Sequence, residues 1–269
     1  MRIQNLKNLT DSDLDATVWR YLPFPKLISM LTYQALWFSK LNILQDQFEG
    51  RIPRSTKEKM KLQDQIWKRV FNTPDFHKQI DDWTLRNEED GRELIAVSCW
   101  FLGDSESKQM WDQYVGSHVG VAVKSSVRRL TQYVFVPPDP LISQIGKVLY
   151  IDHDDHEIQY YEASQAHERA FLKDKRFSEE QEIRIVTMNF KTTCCVSKFG
   201  RPLTREECQG KDMNNFDNPG LYIIIDTKRL LTGVVIAPCA EEWFELLVRR
   251  IIELSDLNVP VMRSSIENA

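Results

Sequence analysis

Charged side chains alternate along one short segment of the sequence, from Glu180 to Arg184. In extended backbone, alternate side chains point to the same face, so Glu180, Glu182 and Arg184 are predicted to point together while Ile183 enters the core. A carboxylate held close to a sugar stabilises the positive charge that develops when its glycosidic bond breaks. The same pattern is typical of a solvated strand face with a cross-strand ion pair. The spacing alone leaves both interpretations open.

Two further carboxylates lie in a polar segment that follows a predicted strand. Asp46 and Glu49 belong to residues 42–51, which are predicted to form a loop, and binding sites are often built on loops. Aspartate is also a common turn former, so the segment has an ordinary structural interpretation as well. In a metal-dependent nuclease, Asp46, Glu49 and Glu182 would bind Mg²⁺, and Arg184 would stand near the scissile phosphate. We keep that chemistry as an alternative hypothesis.

The run from Asp152 to His156 combines imidazole and carboxylate groups, which are both metal ligands. Because the run follows a predicted strand and starts a predicted helix, where Asp is favoured at the cap, we interpret it as capping and predict no metal site. Cys99 lies in an apolar strand and is interpreted as a small buried residue. The sequence contains no glycine-rich phosphate loop, HExxH or GxSxG motif.

Hydrophobic periodicity places these residues on strands separated by helices. Strands are predicted at residues 17–22, 35–39, 94–100, 119–124, 147–151, 182–187, 221–226, 233–238 and 259–263. Helices are predicted after Pro25, at residues 107–114, after Ser125 as the cap, and at residues 157–175 and 241–254, while residues 191–219 are predicted to be irregular. In the last helix, four apolar residues at helical spacing are predicted to face the sheet: Trp243, Leu247, Ile251 and Leu254.

The order of these elements predicts an α+β fold with a mixed, split β-sheet and packed helices, because the spacing is too irregular for a doubly wound fold. We see no break in the pattern, so a single domain is predicted over residues 1–269. Within it, the charged residues at about 55–88 are predicted to form a helical insertion.

The composition limits the partners and the location. The net charge is −4 with both signs interspersed, so no whole-molecule field would attract a polyanion. No stretch reaches the roughly 20 apolar residues of a membrane span, and residues 1–10 lack the apolar region of a secretory signal. The five cysteines are odd in number and contain no CxxC pair, which indicates reduced thiols. We therefore predict a cytoplasmic protein with no membrane partner.

Short segments through most of the chain carry a family resemblance. They are Trp19-Arg20-Tyr21, Leu36-Trp37-Phe38-Ser39, Gln45-Asp46-Gln47-Phe48-Glu49, Val97-Ser98-Cys99-Trp100-Phe101, Met110-Trp111-Asp112-Gln113-Tyr114 with Gly120, Lys147-Val148-Leu149-Tyr150, Phe177 with Glu180-Gln181-Glu182-Ile183-Arg184, and residues 233–264. In this order they resemble a bacterial family known only as domain of unknown function 2971. The family usually reads Asp-Pro-Phe-Glu where this chain has Gln47, so a less rigid loop is expected. The resemblance implies no established activity.

A second resemblance is carried by residues of an early strand and of a late strand. Arg20 and Tyr21 lie on the first strand, Tyr33 or Trp37 supplies an aromatic side chain after it, and residues 180–182 form a late Glu-x-Glu. This plan is similar to that of the ADP-ribosyltransferase fold, whose early strand holds the nicotinamide end of NAD. The first strand here lacks the histidine that those enzymes usually have.

The second resemblance implies a role for each of these residues. Glu182 would be the catalytic carboxylate that stabilises the positively charged ribose, and Glu180 would orient the acceptor. Arg20 or Arg184 would contact the pyrophosphate by forked hydrogen bonds. The aromatic side chains of the early segments would complete the NAD site.

The implied function is a transferase or hydrolase that takes NAD as its substrate in a defence or toxin role. Its partners would be a small-molecule nucleotide and a nucleic acid or protein acceptor, and the oligomeric state is left open. Besides the nuclease, a third hypothesis is a non-catalytic binding module in which the helical insertion faces a partner. Glu182→Gln is expected to abolish turnover and, at a solvent-facing strand position, to change stability by less than about 1 kcal/mol.

Overall fold

The chain has an α+β fold, in which helices pack on a mixed β-sheet, as the sequence predicts. The computed structural model describes residues 3, 5–116, 118–135, 143–188 and 219–266, and of residues 81–87 it describes the backbone only. The predicted irregular segment at residues 191–219 lies outside the described residues except for residue 219.

The described residues include a ten-stranded sheet and a separate two-stranded sheet. The strands are β1 (Asn5–Lys7), β2 (Thr17–Pro23), β3 (Ala35–Lys40), β4 (Ile95–Leu102), β5 (Gly120–Ser126), β6 (Gln144–Lys147), β7 (Leu149–Ile151), β8 (Leu172–Asp174), β9 (Glu182–Met188), β10 (Gly220–Ile224), β11 (Gly233–Ile236) and β12 (Val261–Arg263). The large sheet has the order β1-β6-β9-β4-β2-β5-β11-β12, and β7 pairs with β8 in the small one. Parallel and antiparallel pairs both occur in the large sheet.

Helices connect these strands. They are α1 (Phe24–Tyr33), α2 (Arg54–Val70), α3 (Pro74–Leu94), α4 (Lys108–Tyr114), α5 (Val127–Tyr133), α6 (Tyr160–Ser164), α7 (Ala166–Arg169), α8 (Thr227–Leu230) and α9 (Glu242–Leu254), with 3-10 turns at Asp11–Asp15, Leu41–Ile43 and Lys175–Glu180. The predicted insertion corresponds to α2 and α3. Because Thr73 caps α3 by accepting a hydrogen bond from the backbone N–H of Phe76, the segment folds as two helices.

The large sheet divides along one edge of β4. The first half of β4 pairs with β3, where Val97 lies opposite Ser39, and the last part pairs with β2, where Phe101 lies opposite Trp19. Strand β10 continues the β3 side by pairing antiparallel with β3. Between the two pairings, β2 and β3 diverge and are joined by α1. This split positions the cavity described below.

The two faces of the sheet are packed differently. One face forms the largest apolar core with residues of α1, α5, α8 and α9, and Ile183 of β9 belongs to it, as predicted. On the other face, one apolar cluster contains Tyr21 and Phe101, and another contains Val97 and Val186. Glu182 and Arg184 of β9 alternate with Ile183, so they share this second face with Val186. Charged residues therefore separate two apolar clusters.

The prediction for the buried face of α9 was wrong. Trp243, Leu247 and Leu254 are exposed and Ile251 is half-buried, whereas the side chains buried against the sheet are Phe244, Val248 and Ile252. Both sets recur at helical spacing, so periodicity could not distinguish the two faces.

Two other local predictions were wrong. Residues 157–175 form the short helices α6 and α7 followed by β8, and not one polar helix. The cap of α5 is Ser126, whose hydroxyl accepts from the backbone N–H of Arg129, while Ser125 donates its hydroxyl to the carbonyl of Leu230.

In the described part of the chain, no helix combines the length and apolar character needed to cross a membrane.

Candidate functional site

A cavity of about 900 Å³ lies where the sheet splits. Its volume falls within the range of about 300 to 1,000 Å³ that is usual for small-molecule sites. The predicted site residues that line it are Arg20, Tyr21, Trp37, Glu180, Glu182 and Arg184. Tyr33 is not among the lining residues, and its ring packs beside that of Tyr222, with 5.4 Å between the ring centroids.

Glu182 is buried, with 3% of the residue exposed, so the prediction of a solvent-facing position was wrong. Lys173 Nζ donates to Glu182 Oε1 at 2.7 Å, and Arg184 Nε donates to Glu182 Oε2 at 2.5 Å. Burial opposes ionisation of this carboxyl, but the charges of Arg184 and Lys173 and a hydrogen bond with Glu180 hold its pKa below its ordinary value. Glu182 is therefore a buried anion with two cationic partners.

Glu180 lies at the end of a 3-10 turn and not on the strand that was predicted from its spacing. Gln181 has a left-handed backbone with φ of 39°, which lets the chain turn from Glu180 into β9. The Glu180 carboxyl accepts hydrogen bonds from Gln113 Nε2 at 2.8 Å and from the Tyr114 hydroxyl at 3.1 Å. It also accepts from Lys173 Nζ at 2.6 Å. The three predicted charged side chains do meet, although their backbone differs from the prediction.

Burial and the neighbouring Glu182 raise the pKa of Glu180 to about 7, although Lys173 acts to lower it. Near neutral pH, one member of this pair is a fixed anion and the other is able to gain or lose a proton. Such a difference between adjacent carboxyls is typical of acid and base groups in active sites.

Arg184 anchors the carboxylates of this cluster. Its guanidinium donates to both carboxylate oxygens of Glu49 at 2.6 and 2.9 Å, and to the carbonyl of Ala170 at 2.7 Å. With the bond to Glu182, these contacts use four of its five N–H donors. The residue is fully buried, so the geometry does not favour the predicted contact between Arg184 and a pyrophosphate.

Lys173 is the residue of the cluster that the sequence reasoning missed, because it fell within the predicted helix at residues 157–175. It lies on β8, and its ammonium contacts Glu180, Glu182 and, at 3.5 Å, Glu49. The apolar run of residues 170–172 before it was the available signal for a buried strand.

Two cations line the cavity without a carboxylate partner among the described residues. Arg20 donates to Ser98 Oγ at 2.7 Å and to the carbonyl of Trp37 at 2.8 Å, which are both uncharged groups. Burial lowers the pKa of Arg20 to about 10, and burial followed by the charge of Arg20 lowers the pKa of Lys26. Adjacent cations that line a cavity and have no paired carboxylate among the described residues are suited to an anionic ligand.

Aromatic side chains form part of the cavity wall. The rings of Trp37 and Tyr222 meet edge to face with 5.0 Å between their centroids. Tyr21 packs against Trp111 at 4.9 Å, and its hydroxyl accepts a hydrogen bond from the backbone N–H of Ser107 at 2.8 Å. Tyr21 is therefore held by the protein and offers the cavity mainly its ring.

The residues of the nuclease alternative are engaged by protein groups. Glu49 and Glu182 are paired with Arg184, and Asp46 Oδ1 accepts a hydrogen bond from the backbone N–H of Phe48 at 2.9 Å. The described residues contain no group of three His, Cys, Asp or Glu side chains arranged to hold a metal ion. A divalent cation at Glu182 would have to displace Arg184 or Lys173.

The run at residues 152–156 forms a turn and does not start a helix, since α6 begins at Tyr160. Asp152 Oδ1 accepts from the backbone N–H of Asp154 at 3.1 Å, as expected of aspartate in a turn. His153 stacks on Phe48 with 5.0 Å between ring centroids, and burial lowers the pKa of its imidazole. Its neutral ring packs as an aromatic residue.

Comparisons of this chain with protein-family models, curated proteins and solved structures find no match. The resemblances to domain of unknown function 2971 and to the ADP-ribosyltransferase fold therefore stay predictions.

Proposed function

We propose that this chain cleaves the bond between nicotinamide and ribose in NAD, as an ADP-ribosyltransferase or an NAD glycohydrolase. The observation that carries the proposal is a single cavity with a buried carboxyl pair, Glu180 and Glu182, and two cations without carboxylate partners among the described residues, Arg20 and Lys26. Its setting would be the bacterial cytoplasm, with a role in defence against phage or as a toxin.

The charges of the cavity suit the charges of NAD. The pyrophosphate of NAD is anionic, and Arg20 with Lys26 would bind it. The ribose gains positive charge as the glycosidic bond breaks, and the anionic Glu182 would stabilise that charge. Arg184 and Lys173 would hold the Glu182 carboxylate in place before the reaction starts.

Glu180 would accept the proton that the acceptor loses in the reaction. Nicotinamide leaves with the electron pair of the broken bond and becomes neutral. The oxygen of the acceptor, which is water or a group on a protein or nucleic acid, then bonds to the ribose carbon. Its proton passes to Glu180, whose pKa of about 7 suits a general base at neutral pH.

The size and walls of the cavity support a dinucleotide of this kind. A volume of about 900 Å³ lies near the upper end of the range for small-molecule sites, as a substrate of this length requires. The rings of Trp37, Tyr222 and Tyr21 would pack against the nicotinamide or the adenine.

The helical segment supports a second candidate, which is a non-catalytic binding module. Helix α2 exposes apolar side chains along its length, namely Leu62, Ile66, Trp67 and Val70, with Phe71 just after its end. Exposed apolar residues on a helix suit contact with a partner. This candidate predicts that changes in the carboxyl pair affect neither turnover nor binding.

The release of nicotinamide from NAD, measured by chromatography, tests the proposal. The wild type is expected to release nicotinamide, and Glu182→Gln and Glu180→Gln are expected to lower the rate at least about 100-fold, as the loss of a catalytic group does. Glu179→Gln is the matched control, because Glu179 is exposed and adjacent to Glu180. Circular dichroism shows whether each variant is folded. The proposal fails if a folded Glu182→Gln retains the wild-type rate, or if the wild type releases no nicotinamide.

A further inference from the structure

The ammonium group of Lys173 lies between two carboxyls that the proposed reaction uses. Its Nζ is 2.6 Å from Glu180 Oε2 and 2.7 Å from Glu182 Oε1. The side chain is 6% exposed and comes from β8, whereas Glu180 comes from the 3-10 turn and Glu182 from β9. One buried cation therefore joins side chains of three different elements.

We propose that Lys173 is a positioning residue, whose ammonium group holds Glu180 and Glu182 together as one carboxyl pair. The inference rests on the proposed function, because the pair would act on NAD and its acceptor. It adds a role for a residue that does not contact the reacting atoms in this account. Two carboxyls so close in a buried site cannot both ionise easily unless a cation lies between them.

Other charged and uncharged groups also surround Lys173, Glu180 and Glu182. Arg184 and Glu49 neutralise each other through a forked contact, and Arg184 also reaches Glu182. The other neighbours are uncharged. Tyr114 and Gln113 donate hydrogen bonds to Glu180, and the Tyr150 hydroxyl accepts one from the backbone N–H of Glu182. The Cys99 thiol lies opposite Arg184 on β4, and the ring of Phe177 is 4.8 Å from Lys173 Nζ.

Burial raises the pKa of the Cys99 thiol and of the Tyr114 and Tyr150 hydroxyls, so these groups stay neutral near pH 7. Arg184 contacts Glu182 and Glu49, whereas Lys173 is the cation that contacts both Glu180 and Glu182. Burial and Glu182 raise the pKa of Glu180, and the Lys173 ammonium is the neighbouring charge that lowers it.

Removal of this cation has a defined consequence. Without Lys173, Glu182 repels a second negative charge more strongly, so the pKa of Glu180 rises further above its ordinary value. A nearby opposite charge shifts a carboxyl by about 1 to 3 pH units, so Lys173→Met is expected to move the titration midpoint of Glu180 upward by at least about 1 unit. Lys173→Arg keeps the charge and is expected to move it much less.

The titration is measured by ¹³C NMR on protein labelled at the glutamate carboxyl carbons, and the Glu180 signal is identified by its loss in Glu180→Gln. Lys175→Met is the matched control, because Lys175 is two residues away, exposed, and paired with Asp152 outside the cavity. The wild type and the control are expected to titrate with a midpoint of about 7. An unchanged midpoint in Lys173→Met would overturn the proposal.

A second measurement covers the case in which Lys173→Met does not fold. In the wild type, the ¹⁵N signal of the Lys173 ammonium is followed against pH. It is expected to show an inflection at the midpoint of Glu180 that disappears in Glu180→Gln. If no such inflection is present, Lys173 does not sense the proton of Glu180 and the proposal is wrong.

The same variants separate this inference from the proposed function. If nicotinamide release by the wild type rises with pH through about 7, the rise is expected to move to higher pH in Lys173→Met, as the base form of Glu180 appears later. Release whose pH profile is unchanged in that variant contradicts the role of Lys173 and leaves the proposed function standing. If the NMR midpoint shifts in Lys173→Met but the wild type releases no nicotinamide, the role of Lys173 stands and the proposed function fails.

Discussion

Glu49 illustrates how a single side chain supports the buried charges. Its carboxylate accepts two hydrogen bonds from Arg184, and the residue is 1% exposed. Loss of one partner of a buried ion pair leaves the other charge uncompensated, which costs more than the pair itself contributes. Glu49 therefore matters for folding as well as for the shape of the cavity.

Glu49→Gln is expected to lower the free energy of unfolding by about 3 kcal/mol, because the buried Arg184 loses a charged partner. The measurement is urea unfolding followed by circular dichroism. Glu58→Gln is the matched control, since Glu58 pairs with Arg54 on the exposed surface of α2, where the loss should be under about 0.5 kcal/mol. Equal losses of unfolding free energy in the two variants would show that the buried pair of Glu49 and Arg184 contributes no more to stability than the exposed pair.

The candidate site could be predicted from the sequence only in part. Alternation at residues 180–184 correctly indicated that Glu180, Glu182 and Arg184 lie together. Their burial could not be predicted, because it depends on Glu49 and Lys173, which reach them from other elements. A segment whose own pattern is polar becomes a buried one when partners distant in sequence neutralise it. For the same reason, the expected small change in stability for Glu182→Gln does not hold.

Helix α9 shows that hydrophobic periodicity can predict a helix without predicting which of its faces is buried. The existence and bounds of this helix agree closely with the sequence prediction, but two apolar stripes compete on its surface. The sheet takes the stripe that contains Phe244, Val248 and Ile252. The choice depends on the angle at which the chain enters from β11, and sequence periodicity contains no information on that angle.

Phe244→Ala and Trp243→Ala, at adjacent positions of α9, test this assignment. Phe244 is fully buried, so its truncation is expected to cost about 3 to 5 kcal/mol of unfolding free energy. Trp243 is 53% exposed, so the same change there should cost under about 1 kcal/mol. Thermal and urea unfolding of the two variants measure the difference. A larger loss in Trp243→Ala would mean that the helix presents the other face to the sheet.

Short elements were harder to predict than long ones. Strand β8 has three residues and pairs in parallel with β7, so it is too short to show a period of two. The helix-favouring residues around it suggested a single helix instead. The missed strand carries Lys173, and the error at the element scale therefore hid a residue of the site.

In the molecule as a whole, the α+β class with a mixed sheet was predicted from the sequence, and the split of that sheet at β4 is the feature that the proposed function uses most. The antiparallel pairs of β4 with β2 and with β3 leave the backbone of residues 98–100 between them, and Arg20 bridges this opening. The carboxyl pair comes from the strand on the other edge of β4 and from the turn before it. The order of the strands thus brings the two charged ends of the cavity together.

The proposed function depends on NAD binding in the cavity between Arg20 and Glu182, so the position of bound NAD is its decisive test. A crystal structure of Glu180→Gln, frozen soon after soaking with NAD, would show it, because that variant is expected to bind NAD and to release nicotinamide at least about 100-fold more slowly than the wild type. In the proposed function, the nicotinamide ribose lies within contact distance of Glu182 and the pyrophosphate is hydrogen-bonded to Arg20 or Lys26. NAD bound outside the cavity, or no NAD at a saturating concentration, would contradict it.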